Sequence, residues 1–293
     1  MRWPTRLTIE IARRHYLAYL LLPHHLKMAL LSPRSRTQLD RINQAFNEEI
    51  YSGESATAYD RTHRYAEAEQ HEYPAQLLIS KVWAPEGYGR ALEVGAGTGY
   101  FTAAIARRAA TVLALEPVPD MRQLLEQRRR WEGLANVQVS GGSAFDLSGI
   151  VPDGSIDSAC IIQSLHHFHR RPEIFEGLGR AVRPGGRLFL VEPHHNLRRV
   201  ARLVRYYLTT YRAPAFWRQE RNWATHDFLT RREIAALCRG AGFRDVRIAA
   251  FWFPYSRRLV SDAERRLRLE RILGAIPLFR HVAGVLAVVA RKA

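Results

Sequence analysis

Four histidines fall in two pairs, His166 with His167 and His194 with His195, each pair close behind an apolar run, and Glu192 stands just before the second pair. Imidazole exchanges a proton near neutral pH, so these residues suit general acid–base work. His169, one turn beyond the first pair, is the weaker candidate to point inward. Upstream, Gly95, Gly97 and Gly99 alternate in ALEVGAGTGYF directly after another apolar run, and Glu116 ends the run that follows. Missing side chains let a main chain approach a ligand closely, with helix N–H groups turned toward it. A carboxylate beside such a turn can accept both hydroxyls of a ribose. Glu93, on the first run, could meet an ammonium group, directly or through water.

These residues need a scaffold, and the chain from residue 90 onward supplies a regular one. RALEVGAG and TVLALEP read as buried strands, YFTAAIARRA and DMRQLLEQRRRW as helices. NVQVSGG (136–142), IDSACIIQ (156–163), GRLFLVEP (186–193), VRIAAFWF (246–253) and VLAVVARK (285–292) complete a set of seven strands. PEIFEGLGRAV (172–182) is a helix that the turn at 183–186 should end, and Thr230 with Glu233 forms a capping box opening another, stopped at Gly240 or Gly242. Repeated βα units with near-continuous apolar strands predict a doubly wound α/β fold, its mostly parallel sheet covered on both faces. Three segments stand outside the alternation: 1–85, which reads as a helical N-terminal extension; 197–227, an insertion; and 256–275. The core is expected over 86–293.

Nearly all of the net charge of +16 lies in residues 197–293, which hold 21 Lys+Arg against 7 acids. Such a surface faces something anionic, or else decorates solvated helices. Within it, Leu197, Val200, Val204, Tyr207, Leu208 and Tyr211 recur at helical spacing, with Arg198, Arg199, Arg202 and Arg205 largely elsewhere. That pattern is a basic amphipathic helix, which suits a membrane surface. No stretch is long and apolar enough to span a bilayer, and no cleavable leader is expected. Cys160 and Cys238 form neither a disulfide framework nor a metal motif, which points to a reducing, cytoplasmic setting, with association at the cytoplasmic face of a membrane left open.

The glycine turn departs from the dinucleotide fingerprint, because Tyr100 replaces its last glycine, and no lysine follows to make a phosphate loop. LEVGAGTGYF instead resembles the first motif, E/D-x-G-x-G-x-G, of the Rossmann-like (class I) S-adenosylmethionine (SAM)-dependent methyltransferases, in particular the small-molecule branch similar to quinone-biosynthesis methyltransferases. Glu116 matches their ribose acid and Met121 their adenine-packing apolar residue. SLHHF (164–168) and VRPGGRLFLVEP (182–193) resemble later segments, so that the resemblance covers about residues 88–196. It implies the strand order 3-2-1-4-5-7-6 with the last strand antiparallel, and SAM as cofactor, with S-adenosylhomocysteine as product. Gly95, Ala96, Gly97, Gly99, Pro117, Ala144 and Gln163 would join Glu93, Glu116 and Met121 around it. Tyr59 resembles the aromatic residue of an N-terminal lid, and an aromatic face attracts a sulfonium. Ser143 stands where the family often has an aspartate that accepts the adenine amino group; a hydroxyl accepts that bond more weakly. Metal-dependent relatives carry more carboxylates beside the histidines, so no metal is expected.

Methyl transfer from a sulfonium is an in-line displacement, needing a base only where the acceptor must lose a proton. Any of the four paired histidines could serve. Tyr206, Tyr207, Tyr211, Phe216, Trp217 and Trp223 in the insertion suit a small lipophilic or aromatic acceptor taken from a membrane surface. Oxygen, nitrogen and carbon acceptors all stay open, as does oligomeric state. Two rival readings are an RNA- or DNA-directed methyltransferase using the basic third, and a non-catalytic partner with the same fold. No motif of the Asn/Asp-Pro-Pro-Tyr/Phe type supports the former, and the intact glycine turn with Glu116 speaks against the latter.

Overall fold

The computed structural model describes residues 22–30, 51–64, 69–81, 83–210, 227–253 and 256–293, with a few positions between 32 and 49. Seven strands form one sheet in the order β3-β2-β1-β4-β5-β7-β6: β1 Gly89–Val94, β2 Ala109–Leu115, β3 Val137–Ser140, β4 Ile156–Ile162, β5 Val182–Pro193, β6 Phe243–Phe251 and β7 Val285–Lys292. Strands β1 to β5 pair in parallel, and β7 runs antiparallel to both β5 and β6. Both the order and the reversed last strand are those expected from the sequence.

Because alternate residues of a strand face opposite ways, the apolar run in β4 feeds two cores at once. Ile161 packs with Ile174, Phe175 and Leu178 of one helix (α7, Arg171–Ala181) and with Ile234 and Cys238 of another (α9, Arg231–Gly240). Its neighbours Cys160 and Ile162 face the other side, toward Leu77 and Leu78 of α3 (Glu69–Ile79) and Phe101 and Ile105 of α4 (Tyr100–Ala106). The two buried thiols thus lie in separate cores. The capping box forms: Thr230 Oγ1 accepts the Glu233 N–H at 3.2 Å and opens α9.

One boundary differs from the sequence reading. Residues 183–186, expected as a turn between helix and strand, lie inside the bounds of β5, where Ile156 pairs with Val182 but Ser158 pairs with Arg187. The four residues Arg183 to Gly186 oppose Asp157 alone, and Gly185 takes φ +76° to allow the excursion. Asp157 gathers it by accepting from Arg183 Nε (2.5 Å) and from the Arg90 backbone (2.8 Å).

The remaining described helices are α1 His24–Leu30, α2 Gly53–Arg64, α5 Pro119–Trp131, α6 Leu147–Ile150, α8 Leu197–Thr210, α10 Ser256–Leu259 and α11 Ala263–Ala275. The last two fill the segment 256–275 that interrupts the βα alternation. The aromatic residues Tyr211, Phe216, Trp217 and Trp223, and the side chains of Tyr206 and Tyr207, lie outside the described residues. Among the described residues no helix is long and apolar enough to cross a membrane.

Candidate functional site

The carboxyl ends of β1 and β2 meet at the glycine turn. Gly95, Gly97 and Gly99 have φ of +72°, +58° and +83°, a region that L side chains rarely enter. Two of them are also crowded: a Cβ at Gly95 would stand 2.7 Å from Ser164 Cβ, and one at Gly99 would stand 2.4 Å from Leu125 Cδ1. Gly97 has more room, with only Met121 Cε at 3.7 Å from such a Cβ. Its N–H donates to Glu116 Oε2 (2.8 Å), while Glu116 Oε1 accepts the Val118 N–H (3.0 Å). Each carboxylate oxygen has one backbone donor and a second lone pair to offer, which fits a ribose diol. Burial raises the pKa of Glu116, opposed in part by those two amides and by Arg122. Arg122 also ties the strand end by donating to the carbonyls of Glu116 and Pro117 at 2.8 and 2.9 Å.

Helix α2 closes over this corner. Ala56 packs with Val118 and Met121, and Tyr51 and Tyr59 join them. Tyr59 thus packs beside the end of β2; burial first, and then the charge of Glu116, push its phenol up to about 12. The attachment is polar as well as apolar. Arg128 of α5 donates to Asp60 of α2 (3.0 Å) and to the Thr98 carbonyl in the glycine turn (2.9 Å), all three nearly sealed from solvent. Gly53 N–H adds a bond to Asp120 (2.6 Å). Glu93 is buried behind the turn, accepting the Thr102 hydroxyl at 2.5 Å; burial lifts its pKa to about 8, so it is largely protonated at neutral pH.

The first histidine pair lies two strands away in the sheet order from the end of β2. After β4, Gln163 takes φ +52° and a short 3-10 turn, Leu165–His167, follows. Glu192, wholly buried near the end of β5, organises it: Oε1 accepts the N–H groups of Ser164 (2.9 Å) and Leu165 (2.8 Å), and Oε2 lies 2.8 Å from His166 Nδ1. A neutral imidazole that donates from Nδ1 to this carboxylate keeps its lone pair on Nε2. His167 packs against it with the rings tilted, centroids 4.2 Å apart, and its Nε2 lies 3.4 Å from the Tyr51 hydroxyl. Tyr51 meets Tyr59 edge-on at 5.3 Å, which joins the histidine pair to the corner beneath α2. Phe228 flanks His166 on another side, with the Arg199 guanidinium 4.0 Å above its ring. Ser143 lies at the start of the loop after β3, its Oγ accepting the Phe145 N–H at 3.2 Å, and Ala144 is buried beside it.

The second pair is placed differently. His194 is buried, its Nδ1 3.1 Å from Asn196 Nδ2, and its backbone N–H donates to Gly284 beside β7. Burial, reinforced by Arg231, lowers its pKa to about 4. The half-buried His195 donates its backbone N–H to Leu229. As pH falls from about 6.5 to about 4, the unfolded chain gains a proton that folded His194 refuses, so stability falls through that window by up to about 1.4 kcal/mol per unit. His194→Asn should flatten that part of the stability profile measured by urea unfolding, and an unchanged slope would refute the assignment.

Sequence reasoning missed a buried hub behind the histidine turn. Asp227, fully sealed, lies 2.5 Å from Lys27 Nζ and 2.6 Å from His24 Nδ1, both of α1, and its backbone N–H donates to the His166 carbonyl (2.9 Å). Arg171 reaches the Asp227 carbonyl and Glu233 (2.6 Å). His169 does point inward: it is buried, stacks on His24 at 5.6 Å, and its carbonyl lies 2.9 Å from His24 Nε2. His24, His169 and Asp227 are close enough to share a cation, a role that the Lys27 ammonium already fills. No local signal marks these residues, since the partners stand some two hundred positions apart.

Comparison with known proteins bears on the whole arrangement. A methyltransferase-domain family matches residues 92–190, which contain the glycine turn, Glu116 and the first histidine pair. The chain is 26% identical over 226 residues to a demethylmenaquinone methyltransferase of Geobacillus sp. (strain WCH70), covering 73% of this chain and 93% of that protein. It is 30% identical over 154 residues to one of Tropheryma whipplei (strain Twist), covering 52% and 62% respectively. In fold it is similar to the YcgJ protein of Bacillus subtilis (TM-score 0.54, 17% identity, 76% of this chain and 99% of that one). A SAM-dependent methyltransferase from Archaeoglobus fulgidus is also similar in fold, with TM-score 0.54 at 17% identity over 81% of this chain and 99% of that one.

Proposed function

We propose that this chain, a class I SAM-dependent methyltransferase, methylates a lipophilic aromatic acceptor at a membrane surface and uses His166 as the base. SAM is its methyl donor, supplying an electrophilic methyl on a sulfonium. The observation that carries the proposal is the Glu192–His166 pair, held beside Tyr51 and Tyr59 on the same edge of the sheet as the glycine turn and Glu116.

Glu116 would accept the ribose hydroxyls, and the main chain at Gly95, Ala96 and Gly97 would hold the amino-acid portion. Met121 and Ala144 would border the adenine, with Ser143 and Gln163 offering polar contacts. Helix α2, pinned by Arg128, excludes water, which strengthens electrostatic interactions at the reacting centre. His166 Nε2 takes the proton from an acceptor hydroxyl or activated carbon as its bond to the methyl group forms. Glu192 then stabilises the imidazolium, and His167 with Tyr51 borders the acceptor.

The name of the relatives, demethylmenaquinone methyltransferase, supports a quinol-like acceptor. The surface of α8 supports the membrane: Leu197 and Leu208 are 71% and 66% exposed on a helix that also carries the exposed Arg202 and Arg205. Supplying demethylmenaquinol in anionic phospholipid vesicles should give S-adenosylhomocysteine, with the protein floating with those vesicles. Methylation of bulk RNA without vesicle binding would overturn this reading.

Glu93 gives a separate expectation. In the free protein it is largely protonated at pH 7, and a cofactor ammonium nearby would favour its ionised form, so binding expels a proton. Affinity should therefore rise between pH 6 and 7.5, and calorimetric heats should differ between phosphate and Tris. With Glu93→Gln both dependences should shrink; equal heats for the wild type would show that Glu93 does not meet the ammonium.

A further inference from the structure

A cavity on the far side of the sheet's antiparallel half takes no part in the chemistry above. It is a half-open trough of about 840 Å³ on the face of the sheet formed by β5, β7 and β6, between α11 and the segment Leu77 to Pro85. Its lining shares no residue with the glycine turn, Glu116 or the histidine turn. The volume is that of a small-molecule site. Ala249, Phe251 and Val289 form an apolar floor, with Leu267 and Trp83 as apolar walls.

The rim has an opposite character. Seven arginines border the trough, and two of them hold carboxylates: Arg187 with Glu86 (2.7 Å) and Arg268 with Glu264 (2.6 Å). Arg231, Arg247, Arg271, Arg280 and Arg291 have no carboxylate partner among the described residues. Two of these, both on the lining, feel one another's charge. Arg231 opens α9, Arg280 lies in the short turn Phe279–His281 before β7, and burial together with the charge of Arg280 holds the Arg231 pKa below its usual value. Arg231 Nη1 and Arg280 Nε are each sealed from solvent and meet no acceptor among the described residues. A buried guanidinium donor without an acceptor is costly, and two like charges side by side add to that cost. An anion between them would remove both penalties.

We propose that this trough binds a single-chain lipid with an acidic head, the head between Arg231 and Arg280 and the chain along Ala249, Phe251 and Val289. The dimensions agree. Strand β7, which carries part of the floor, has eight residues and so spans about 25 Å. One acyl chain spans about half of a bilayer core, roughly 15 Å. Charge and floor select jointly, so a neutral lipid lacks the head contact and a free anion lacks the burial of the chain. The site is independent of methyl transfer, and its failure would leave the methyltransferase reading untouched.

Calorimetric titration of the full chain with 1-oleoyl lysophosphatidate, below its micellar concentration, tests the proposal, with monoolein and inorganic phosphate as parallel probes. Lysophosphatidate should bind at one per chain, and each of the other two at least tenfold more weakly. Arg280→Glu and, separately, Ala249→Trp should each weaken lysophosphatidate at least tenfold while SAM affinity stays at the wild-type value. Arg231→Glu gives a second head variant should Arg280→Glu fail to fold, since Arg280 also donates to the Ala275 carbonyl at the end of α11. No binding of lysophosphatidate to the wild type, equal binding of monoolein or phosphate, or wild-type affinity in the head and floor variants would each overturn it.

Discussion

His166→Ala should lower kcat by about 10²- to 10⁴-fold, the usual contribution of a positioned general base, while SAM affinity stays at the wild-type value. The imidazole is held by Glu192 at 2.8 Å and flanked by His167 and Phe228, so it has little freedom to be replaced by a neighbour. Glu192 acts through His166 and also anchors the Ser164 and Leu165 amides, which makes it a positioning residue. Glu192→Gln keeps an amide oxygen for the two backbone donors but removes the charge that stabilises the imidazolium. It should lower kcat less than His166→Ala does, and move the acidic limb of the kcat–pH profile, where the base gains its proton. His194→Asn should leave kcat nearly unchanged, because His194 points toward Asn196 and the start of β7. Full activity in His166→Ala, measured as S-adenosylhomocysteine released, would show that proton removal needs no histidine at this position.

The second large effect is expected at Glu116. Two charge-assisted hydrogen bonds to a ribose are worth about 1.5–3 kcal/mol each, so Glu116→Ala should weaken SAM by about 10²- to 10⁴-fold. Part of the loss comes through the protein, because Gly97 and Val118 would lose their shared acceptor and the turn would relax. Glu116→Gln separates the two contributions: it still accepts from one amide but carries no charge. Its affinity should fall between that of the wild type and that of the alanine variant, with urea unfolding closer to the wild type. Wild-type affinity in both would remove Glu116 from the cofactor site.

What could be read in advance follows from how locally each feature is encoded. The seven strands, the glycine turn and Glu116 arise from apolar runs, from absent side chains and from an acid at a strand end, all visible within a dozen residues. The capping box at Thr230 is equally local. The excursion at 183–186 was harder, because Pro184, Gly185 and Gly186 are turn residues, and only the pairing of Val182 with Ile156 brings them within a strand.

The hidden parts of the site are long-range. Arg128 looks like one more arginine in QRRRW, yet it alone of that run is buried, bridging Asp60 and Thr98. Tyr51 meets His167 across 116 positions, and Asp227 meets Lys27 across 200. No periodicity or motif records such pairs, because each residue is ordinary in its own neighbourhood. The histidine pairs show the same limit. Spacing treats His166 and His194 alike, but Glu192 faces one and Asn196 the other, so the two imidazoles are held differently.

On the proposed function, the main chain at the end of β1 and the carboxylate at the end of β2 jointly hold the adenosyl group. A crystal structure of the complex with S-adenosylhomocysteine tests it most directly. Both ribose hydroxyls should lie about 2.5–3.0 Å from the Glu116 carboxylate oxygens, with the homocysteine portion against Gly95 to Gly97. A ribose placed away from Glu116, or a glycine turn that takes up a diphosphate in its stead, would contradict it.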